Sequence, residues 1–402
     1  MSDKIEDTRT IQERDRYDVI VVGGGIAGIS AAVAAARTGA SVLLLEKTVV
    51  LGGLATVGLI SWYEPLCDGS GKQMVSGISE ELIRLAIRYG FDDLPQDWRE
   101  QQDTGSANDP RSGRYASHFS PTLFAMSLDG YLNENGVDIR LDTMAIFPVM
   151  EGKHCGGIVT ESAGGREFFG AKVVVDATGN ATVLHRAGVP TVNGKNYLTY
   201  VAHYTDLELA RKYAEDQNMA AFRKWLMVGS DLFGKGHPEG MERVSGVTGN
   251  EVTRFVLSGR QMLFDRIKDQ PRDRRDITML PMMPQLRTIR RLDGAYVFTG
   301  EEEGRTFEDA VGSMGDFRSR GKHYQLPYAS LYHRDFDNLL AAGRIISADG
   351  NGWEITRVIP VAALSGQAAG TAAGLCVASG TEVGAIDIGL LQNRLQRDGV
   401  LF

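Results

Sequence analysis

The stretch YDVIVVGGGIAGISAAVAAARTGASVLLLEK, residues 17–47, decides the fold. Asp18–Val22 is β-branched and almost wholly apolar, as expected for a strand that is buried on both faces of a parallel sheet. A helix of small residues, Ala27–Arg37, follows, and the apolar run ASVLLLEK predicts a second strand. Strand, helix and strand in this order indicate a βαβ unit, and therefore an α/β, Rossmann-like domain built on a parallel sheet.

The turn between the first strand and the helix carries glycines at a spacing typical of dinucleotide binding. Gly23, Gly25 and Gly28 fit G-x-G-x-x-G, which permits a tight turn, a close backbone approach to a pyrophosphate and close packing of helix on strand. Glu46, at the end of the second strand, is placed to accept hydrogen bonds from ribose hydroxyls. The stretch predicts a dinucleotide site, with NAD and FAD both open as the ligand.

Composition and charge narrow the function classes. The chain has 402 residues, which indicates two or three domains. Its formal net charge of -8 argues against a nucleic-acid partner, since binding of phosphates needs clustered Lys and Arg. The basic run PRDRRD, residues 271–276, is balanced by its own acids and predicts a solvated loop.

Cysteine content and hydropathy bear on the compartment. Cys67, Cys155 and Cys376 are odd in number and far apart, which indicates a reducing cytoplasm and argues against dithiol chemistry. The charged N-terminal residues lack the apolar core of a signal peptide. We also expect no apolar run long enough to cross a bilayer, and so no membrane partner.

Later segments extend the nucleotide-binding pattern. Gly52 and Gly53 follow the acid at the second strand, and the predicted strand Ala171–Asp176 ends in the small residues Ala177, Thr178 and Gly179. Near the C-terminus, a short strand Leu339–Ala342 precedes Gly343, Arg344, Asp349 and a small-residue helix from about Thr356 to Ala373.

Together these segments resemble the two-dinucleotide-binding-domain flavoproteins of the glutathione-reductase-like fold. More narrowly, the chain resembles the FAD-dependent oxidoreductase family that neighbours the fumarate reductase and succinate dehydrogenase flavoproteins and the thiazole-biosynthesis proteins. "PQLRTIRRLDGAYVFTGEE" and "PYxSL" ahead of "NLLxAGR" are also similar to phrases of that family, whereas Trp353 departs from its smaller residues. The resemblance implies FAD as the cofactor, held by Gly23, Gly25, Gly28, Glu46, Gly52, Gly53, Ala177, Thr178, Gly179, Gly343, Arg344 and Asp349.

Two insertions are predicted in a discontinuous FAD-binding domain made of residues 15–190 and 325–402. The first, at about 66–118, begins with a capping helix and continues into a long polar loop. The second, 188–325, is expected to be a smaller α+β substrate domain, with helices at Leu207–Val228 and Glu251–Lys268 and a long strand starting near Ile277.

Residues for proton transfer and substrate binding follow less directly. A flavin enzyme needs a group that carries the substrate's proton, and His118 and His333 lie near segments that return to the flavin. Arg287, Arg290 and Arg291 lie on one predicted strand, and we take Arg290 as the candidate that binds substrate. His203 is a further histidine of the insertion, and no His and carboxylate cluster has the spacing of a metal site.

Three functions therefore compete at this point. The first is an FAD-dependent oxidoreductase that transfers hydride between a small polar organic substrate and flavin N5, with an electron acceptor that the sequence does not name. The second is a thiazole-synthase-like protein that holds NAD as a reactant, and the third is a tRNA-modifying flavoprotein. Flavoproteins of this size often dimerise, so a homodimer is a candidate assembly.

Overall fold

The computed structural model describes residues 8, 10–94, 115–222 and 224–402. Its strands, in chain order, are β1 (Gln12–Val22), β2 (Val42–Leu45), β3 (Trp62–Tyr63), β4 (Ser117–His118), β5 (Asp138–Arg140), β6 (Met144–Glu151), β7 (His154–Ser162), β8 (Gly165–Asp176), β9 (Thr191–Asn193), β10 (Thr199–Asp206), β11 (Lys224–Gly229), β12 (Arg275–Met279), β13 (Arg290–Leu292), β14 (Ala310–Gly315), β15 (His323–Pro327) and β16 (Leu339–Ala341).

The α-helices are α1 (Ile26–Ala36), α2 (Ile78–Arg88), α3 (Pro121–Glu134), α4 (Thr182–Arg186), α5 (Leu207–Asp216), α6 (Gly249–Ile267), α7 (Gly350–Thr356), α8 (Ile359–Ser379) and α9 (Ile388–Arg397). The long polar loop expected in the first insertion falls mostly on residues 95–114, which lie outside the described residues.

The central sheet has seven strands in the order β5-β2-β1-β8-β7-β6, with β16 also paired to β8. β1 runs parallel to β2 and β8, and Val21 pairs with Leu44 and with Val175. β6 and β7 add an antiparallel edge. The fold is α/β and Rossmann-like, as predicted. β1 begins earlier than predicted because its exposed polar half, from Gln12, continues the pairing with β8.

Helices α1 and α8 pack together through small residues. A Cβ added to Gly366 would lie 2.2 Å from the Ala27 carbonyl oxygen, and one added to Gly370 would lie 2.0 Å from that of Ala31. The small-residue helix predicted from about Thr356 to Ala373 is α8, which begins at Ile359 with Pro360 in its first turn, and the short helix α7 before it was not predicted. Proline is common in the first turn of a helix, because a backbone N–H there would have no partner within the helix.

Helix α8 also corrects an expectation about membranes. It has 21 residues and, by length and composition alone, is apolar enough to cross a bilayer, so the prediction of no such run was wrong. Within the structure 83% of its apolar window is buried, and it packs on α1 and α2. The helix is therefore a core element of this fold.

A second, smaller sheet lies within the 188–325 insertion. Its order is β11-β10-β12, and all its neighbours are antiparallel. One face carries Tyr200 and Ala202, which pack with Phe255 and Leu263 of α6. This mixture of a small sheet and helices gives the inserted α+β part of the fold. The domain boundaries themselves stay a prediction.

Two elements of this insertion differ from expectation. The predicted helix Leu207–Val228 ends as α5 at Asp216, where Gln217 adopts a left-handed conformation, and residues from Lys224 form β11. Trp225 and Met227 alternate along that strand and pair with His203 and Val201 of β10. The predicted long strand is likewise divided into β12 and β13, and the segment between them contacts the chain after the glycine pair, where the Met282 N–H donates to the Val57 carbonyl oxygen at 2.8 Å.

Candidate active site

A cavity of about 410 Å³ lies between the carboxyl ends of β1, β2 and β8 and the small sheet. Ligands of open α/β sheets bind at this edge. Of the predicted cofactor residues, all except Gly28 and Asp349 line it. The residues that it brings together are Gly23, Gly25, Glu46, Gly52, Gly53, Ala177, Thr178, Gly179, Gly343 and Arg344.

The three glycines of the first turn have different surroundings. A Cβ on Gly23, whose φ is +106°, would lie 2.5 Å from the Ala177 carbonyl oxygen, and one on Gly28 would lie 1.8 Å from that of Gly23. Gly25 differs, because a Cβ built there meets no atom within 4 Å. At Gly23 and Gly28 the backbone packs too closely for a side chain, whereas Gly25 faces open space in the cavity wall.

Two helices start at this cavity without a side-chain cap. Gly25 is the N-cap of α1 and Val358 is the N-cap of α8, and neither makes a side-chain cap hydrogen bond. Both residues line the cavity. Because unpaired N–H groups and the positive end of the helix dipole favour anions, these helix starts suit the phosphates and the electron-rich edge of a bound dinucleotide.

Glu46 is buried and already partly engaged. Its Oε2 accepts a hydrogen bond from the Gly24 N–H at 2.7 Å, and its Oε1 accepts from the Thr48 N–H at 2.8 Å. The Thr48 hydroxyl lies 2.9 Å from both Glu46 Oε1 and the Val50 carbonyl oxygen, and its single proton serves one of them at a time. Glu46 therefore retains acceptor capacity for a ribose hydroxyl.

The glycine pair after β2 lies beside the first turn. Gly52 N–H donates to the Gly24 carbonyl oxygen at 2.8 Å, and Gly53 approaches so closely that an added Cβ would lie 3.2 Å from the Gly25 Cα. Gly52 and Gly53 have φ values of +95° and +56°, which favour glycine. The two glycine segments together form one continuous backbone wall.

The strand end Ala177–Gly179 is held by Asp176 and Arg344. Buried Asp176 accepts hydrogen bonds from the Thr178 N–H at 2.9 Å and from the Leu184 N–H at 3.0 Å, and burial raises its pKa. Arg344 Nε donates to the Gly179 carbonyl oxygen at 2.6 Å, and its Nη1 donates to that of Leu286 at 2.9 Å. Arg344 thus joins β8 to the insertion.

Two predicted cofactor residues lie outside the cavity wall. Gly28 packs α1 onto the first turn, as described above. Asp349 is the N-cap of α7, where its side chain accepts from the Gly350 N–H, and it lies 3.2 Å from Arg291 Nη2. Asp349 therefore caps α7 and forms an ion pair with Arg291.

The three predicted catalytic residues also lie outside the lining. His118 pairs with Trp62 on the β3–β4 ribbon, and Arg290 Nε donates to Asn193 Oδ1 at 3.1 Å across the β9–β13 pair. His333 accepts from the Asp335 N–H and packs against Phe336. The cavity lining includes none of them, so their catalytic roles stay predictions without a contact to the cavity.

Of the three arginines on the predicted strand, Arg287 lines the cavity, whereas the candidate Arg290 does not. Several other lining residues escaped the sequence analysis. Arg357 and Glu64 add two more charged side chains, and Trp62 and Trp225 add indoles. The run SWYEP at 61–65 combined aromatic and acidic residues just after the glycine pair, and this was the signal that could have identified Trp62 and Glu64.

Gln285 connects the small sheet to the nucleotide-binding part. Its Oε1 accepts from the Val201 N–H at 2.7 Å, and its Nε2 donates to the Gly58 carbonyl oxygen at 2.6 Å. It is buried and lines the cavity. Over the described ranges, no group of three or more His, Cys, Asp or Glu side chains could hold a metal ion.

Comparison with known proteins gives a family match over most of the chain. The family described as FAD dependent oxidoreductase matches residues 18–203 and 238–395. The matched ranges include every lining segment except the one around Trp225, Met227 and Leu232.

Individual relatives match shorter parts. A digeranylgeranylglycerophospholipid reductase of Methanoculleus marisnigri is 28% identical over 49% of this chain and 48% of its own length. An NADH:acrylate oxidoreductase of Vibrio harveyi is 32% identical over 35% of this chain and 12% of its own length. The chain thus spans about half the length of the first relative and 12% of the length of the second. A geranylgeranyl bacteriochlorophyll reductase-like structure from Thermoplasma acidophilum covers 98% of this chain and 93% of its own, at 14% identity and a TM-score of 0.43.

Proposed function

Because this chain belongs to the FAD-dependent oxidoreductase family, we propose that it transfers hydride between a small polar organic molecule and N5 of FAD. The observation that carries the proposal is one cavity whose wall includes both the predicted dinucleotide residues and polar side chains of the inserted sheet region. The cofactor and a second molecule would share this space.

The residues present fit FAD. The open space at Gly25, the uncapped starts of α1 and α8, and the spare acceptor capacity of Glu46 are the features that a pyrophosphate, a flavin edge and a ribose need. Gly25 with Gly53 would hold the pyrophosphate, and Glu46 the ribose. Bound FAD supplies the two-electron redox chemistry, while the protein binds, orients and excludes water.

The walls beyond the nucleotide residues are largely apolar. Val57, Ile60, Val201, Met227 and Met283 face the cavity together with the two indoles. Such walls exclude water from the reacting atoms and strengthen the electrostatic interactions inside. Gln285 hydrogen-bonds both to β10 and to the segment around Gly58. These bonds fix the position of the β10 wall relative to the glycine segments.

We assign Glu64 as the candidate that holds or moves the substrate's proton at its carboxylate oxygens. Apart from Glu46 at the ribose end, it is the carboxylate among the described lining residues. It is half-buried and lines the same cavity as Trp62, and a carboxylic acid at a cavity wall can exchange a proton with a bound molecule. His118 and His333 remain the sequence-based alternatives for this role.

The other two functions fit less well. Family membership assigns FAD, which weighs against a protein that consumes NAD as a reactant. The net charge of -8 weighs against a tRNA substrate.

The test is the visible spectrum of the purified protein, followed by anaerobic mixing with sugars, hydroxy acids, amines and reduced nicotinamides. We expect flavin absorbance that bleaches with one class of reductant and recovers on addition of an oxidised substrate. A flavin that bleaches with dithionite but with no organic donor, and that no unsaturated or carbonyl compound reoxidises, would contradict hydride transfer.

A further inference from the structure

Three guanidinium groups meet in one part of the cavity wall, those of Arg287, Arg344 and Arg357. Only Arg357 has a carboxylate partner among the described residues, since its Nε donates to Glu354 Oε2 at 2.9 Å. Arg344 donates to two neutral carbonyl groups. Arg287 Nη1 donates to the Asp231 carbonyl oxygen at 3.3 Å. The carboxylates of Glu354 and Asp231 both interact electrostatically with Arg287, so two negative charges oppose three positive charges here.

Arg357 repels the other two arginines, and all three side chains are half-buried. Burial lowers the pKa of Arg287, and the charge of Arg357 lowers it further. Burial lowers the pKa of Arg344 to about 10, again with a contribution from Arg357. Because half-buried charges of the same sign are stabilised by a charge of opposite sign, this part of the wall favours an anion.

The Arg287 backbone is fixed in place. Buried Asn196 accepts hydrogen bonds at its Oδ1 from the Arg287 N–H at 2.8 Å and from the Thr288 N–H at 2.9 Å. Its Nδ2 donates to the Val244 carbonyl oxygen at 3.1 Å. This bracket holds the start of the Arg287 side chain, so the guanidinium can be directed at a ligand without ordering the loop first.

Two tryptophan side chains also line this cavity. Trp62 and Trp225 both line it, and the His118 ring lies behind them, with its centroid 4.3 Å from that of Trp62 and 5.6 Å from that of Trp225. Trp225 Nε1 is buried and has no hydrogen-bond partner among the residues that the structure describes. An unpaired buried donor is costly and points to an acceptor on a bound molecule.

The distance between the two features restricts the shape of that molecule. Trp225 and Gly229 lie four residues apart on β11, or about 13 Å, and Asp231, which Arg287 contacts, follows the strand. A molecule that reaches both features is elongated, with its charge at one end.

We infer that the Arg287 and Arg357 guanidinium groups bind the carboxylate of an organic acid whose planar, unsaturated body lies against Trp62 and Trp225. This inference rests on the proposed function, since it names the substrate class of the same cavity. Two cationic side chains can give a carboxylate charge-assisted hydrogen bonds, which are its strongest contacts. The flat indole faces favour a flat body.

The experiment is a titration of the FAD-loaded protein, followed by flavin difference spectra, with trans-cinnamate, cinnamamide and 3-cyclohexylpropionate. The amide keeps the planar body and removes the charge, and the third compound keeps the charge and removes the planarity. We expect cinnamate to bind at least about tenfold more tightly than either, the scale of one charge-assisted hydrogen bond. R287M should abolish the preference for the acid over the amide, and R287K should restore part of it.

The control is R211M, which removes an exposed positive charge of α5 outside the cavity and should bind the three compounds as the wild type does. Equal affinity of the wild-type protein for cinnamate and cinnamamide would overturn the inference and assign the arginines to the cofactor alone. Absence of any saturable spectral change would overturn it as well.

The outcome separates this inference from the proposed function. Binding that depends on Arg287 in a protein whose flavin no organic donor bleaches would support the anion site and contradict hydride transfer. Bleaching by a neutral substrate, with no preference for acids, would support hydride transfer and contradict the anion site.

Discussion

The Glu46 carboxylate accepts a 2.7 Å hydrogen bond from the Gly24 N–H, which ties the acid after β2 to the glycine turn after β1. The same carboxylate accepts from the Thr48 N–H, so it orders its own loop as well. A ribose bound here would meet an acceptor that is already oriented. This pre-organisation reduces the entropy that binding must overcome.

Replacing Glu46 with Ala should therefore weaken FAD binding. Loss of hydrogen bonds to a charged group costs about 1.5–3 kcal/mol, or about a 10- to 100-fold rise in Kd. The measurement is flavin content after purification and the Kd of the apoprotein for FAD by flavin fluorescence. E13A, at an exposed glutamate of β1, is the control and should retain its flavin. Unchanged occupancy in E46A would remove the ribose assignment.

Gly25 and Gly28 should respond differently to alanine. A methyl group at Gly25 meets no protein atom within 4 Å, and its φ of -74° is open to alanine, so G25A should fold but lose FAD affinity. A methyl group at Gly28 would lie 1.8 Å from the Gly23 carbonyl oxygen, so G28A should lose stability. Thermal unfolding of both apoproteins and FAD titration separate the two effects. A G25A protein that keeps its FAD affinity would show that the open space at Gly25 is not used.

The extent of sequence-based prediction differs between these parts of the molecule. The sequence predicted the glycine turn, Glu46 and the strand ends correctly as cavity residues, because each lies within a local pattern of strand, turn and helix. Arg287 and Arg290 were not distinguishable, since which one reaches the cavity depends on the distant pairing of β13 with β9 and on the Asn196 bracket. The prediction of a helix over the residues of β11 was wrong for a similar reason, because pairing with β10 outweighed local helix propensity.

The capping box of α6 gives a pH-dependent contribution to stability. Glu251 accepts from the Thr248 and Ser245 N–H groups. Burial raises its pKa, but these hydrogen bonds outweigh burial and hold the pKa at about 2. Because the folded-state pKa is depressed, the contribution is complete above the ordinary value of 4.5 and is lost as the pH falls toward about 2.

E251Q should thus be less stable than the wild type by about 1 kcal/mol at pH 7, the usual scale of a cap. The difference in the free energy of unfolding should shrink as the pH falls below 4.5. Urea unfolding of both proteins from pH 7 to pH 3.5 measures it. A difference that stays constant over this range would show that the ionised carboxylate adds nothing to the cap.

Glu64 should affect turnover without affecting the flavin. E64Q keeps the shape and removes the proton that a carboxylic acid can exchange, so kcat should fall by about 10²- to 10⁴-fold, the usual contribution of general acid–base catalysis. The flavin spectrum and FAD Kd should match those of the wild type. E64D should recover part of the activity, and the acidic limb of the pH profile should be missing in E64Q. Equal losses in E64Q and E64D with an intact pH profile would indicate a positioning role only.

Arg290 and Arg287 form the last comparison. Arg290 was the sequence-based candidate for substrate binding, but it donates to Asn193 across the β9–β13 pair, whereas Arg287 lines the cavity. Once a substrate is known, we expect R287A to raise KM by about tenfold or more, because a charge-assisted contact is lost. R290A should change KM by a smaller factor and should mainly lower the melting temperature, since it weakens a strand pair. A larger KM effect in R290A, with its flavin spectrum intact, would restore Arg290 as the substrate-binding residue and would place the substrate outside the wall that Arg287 lines.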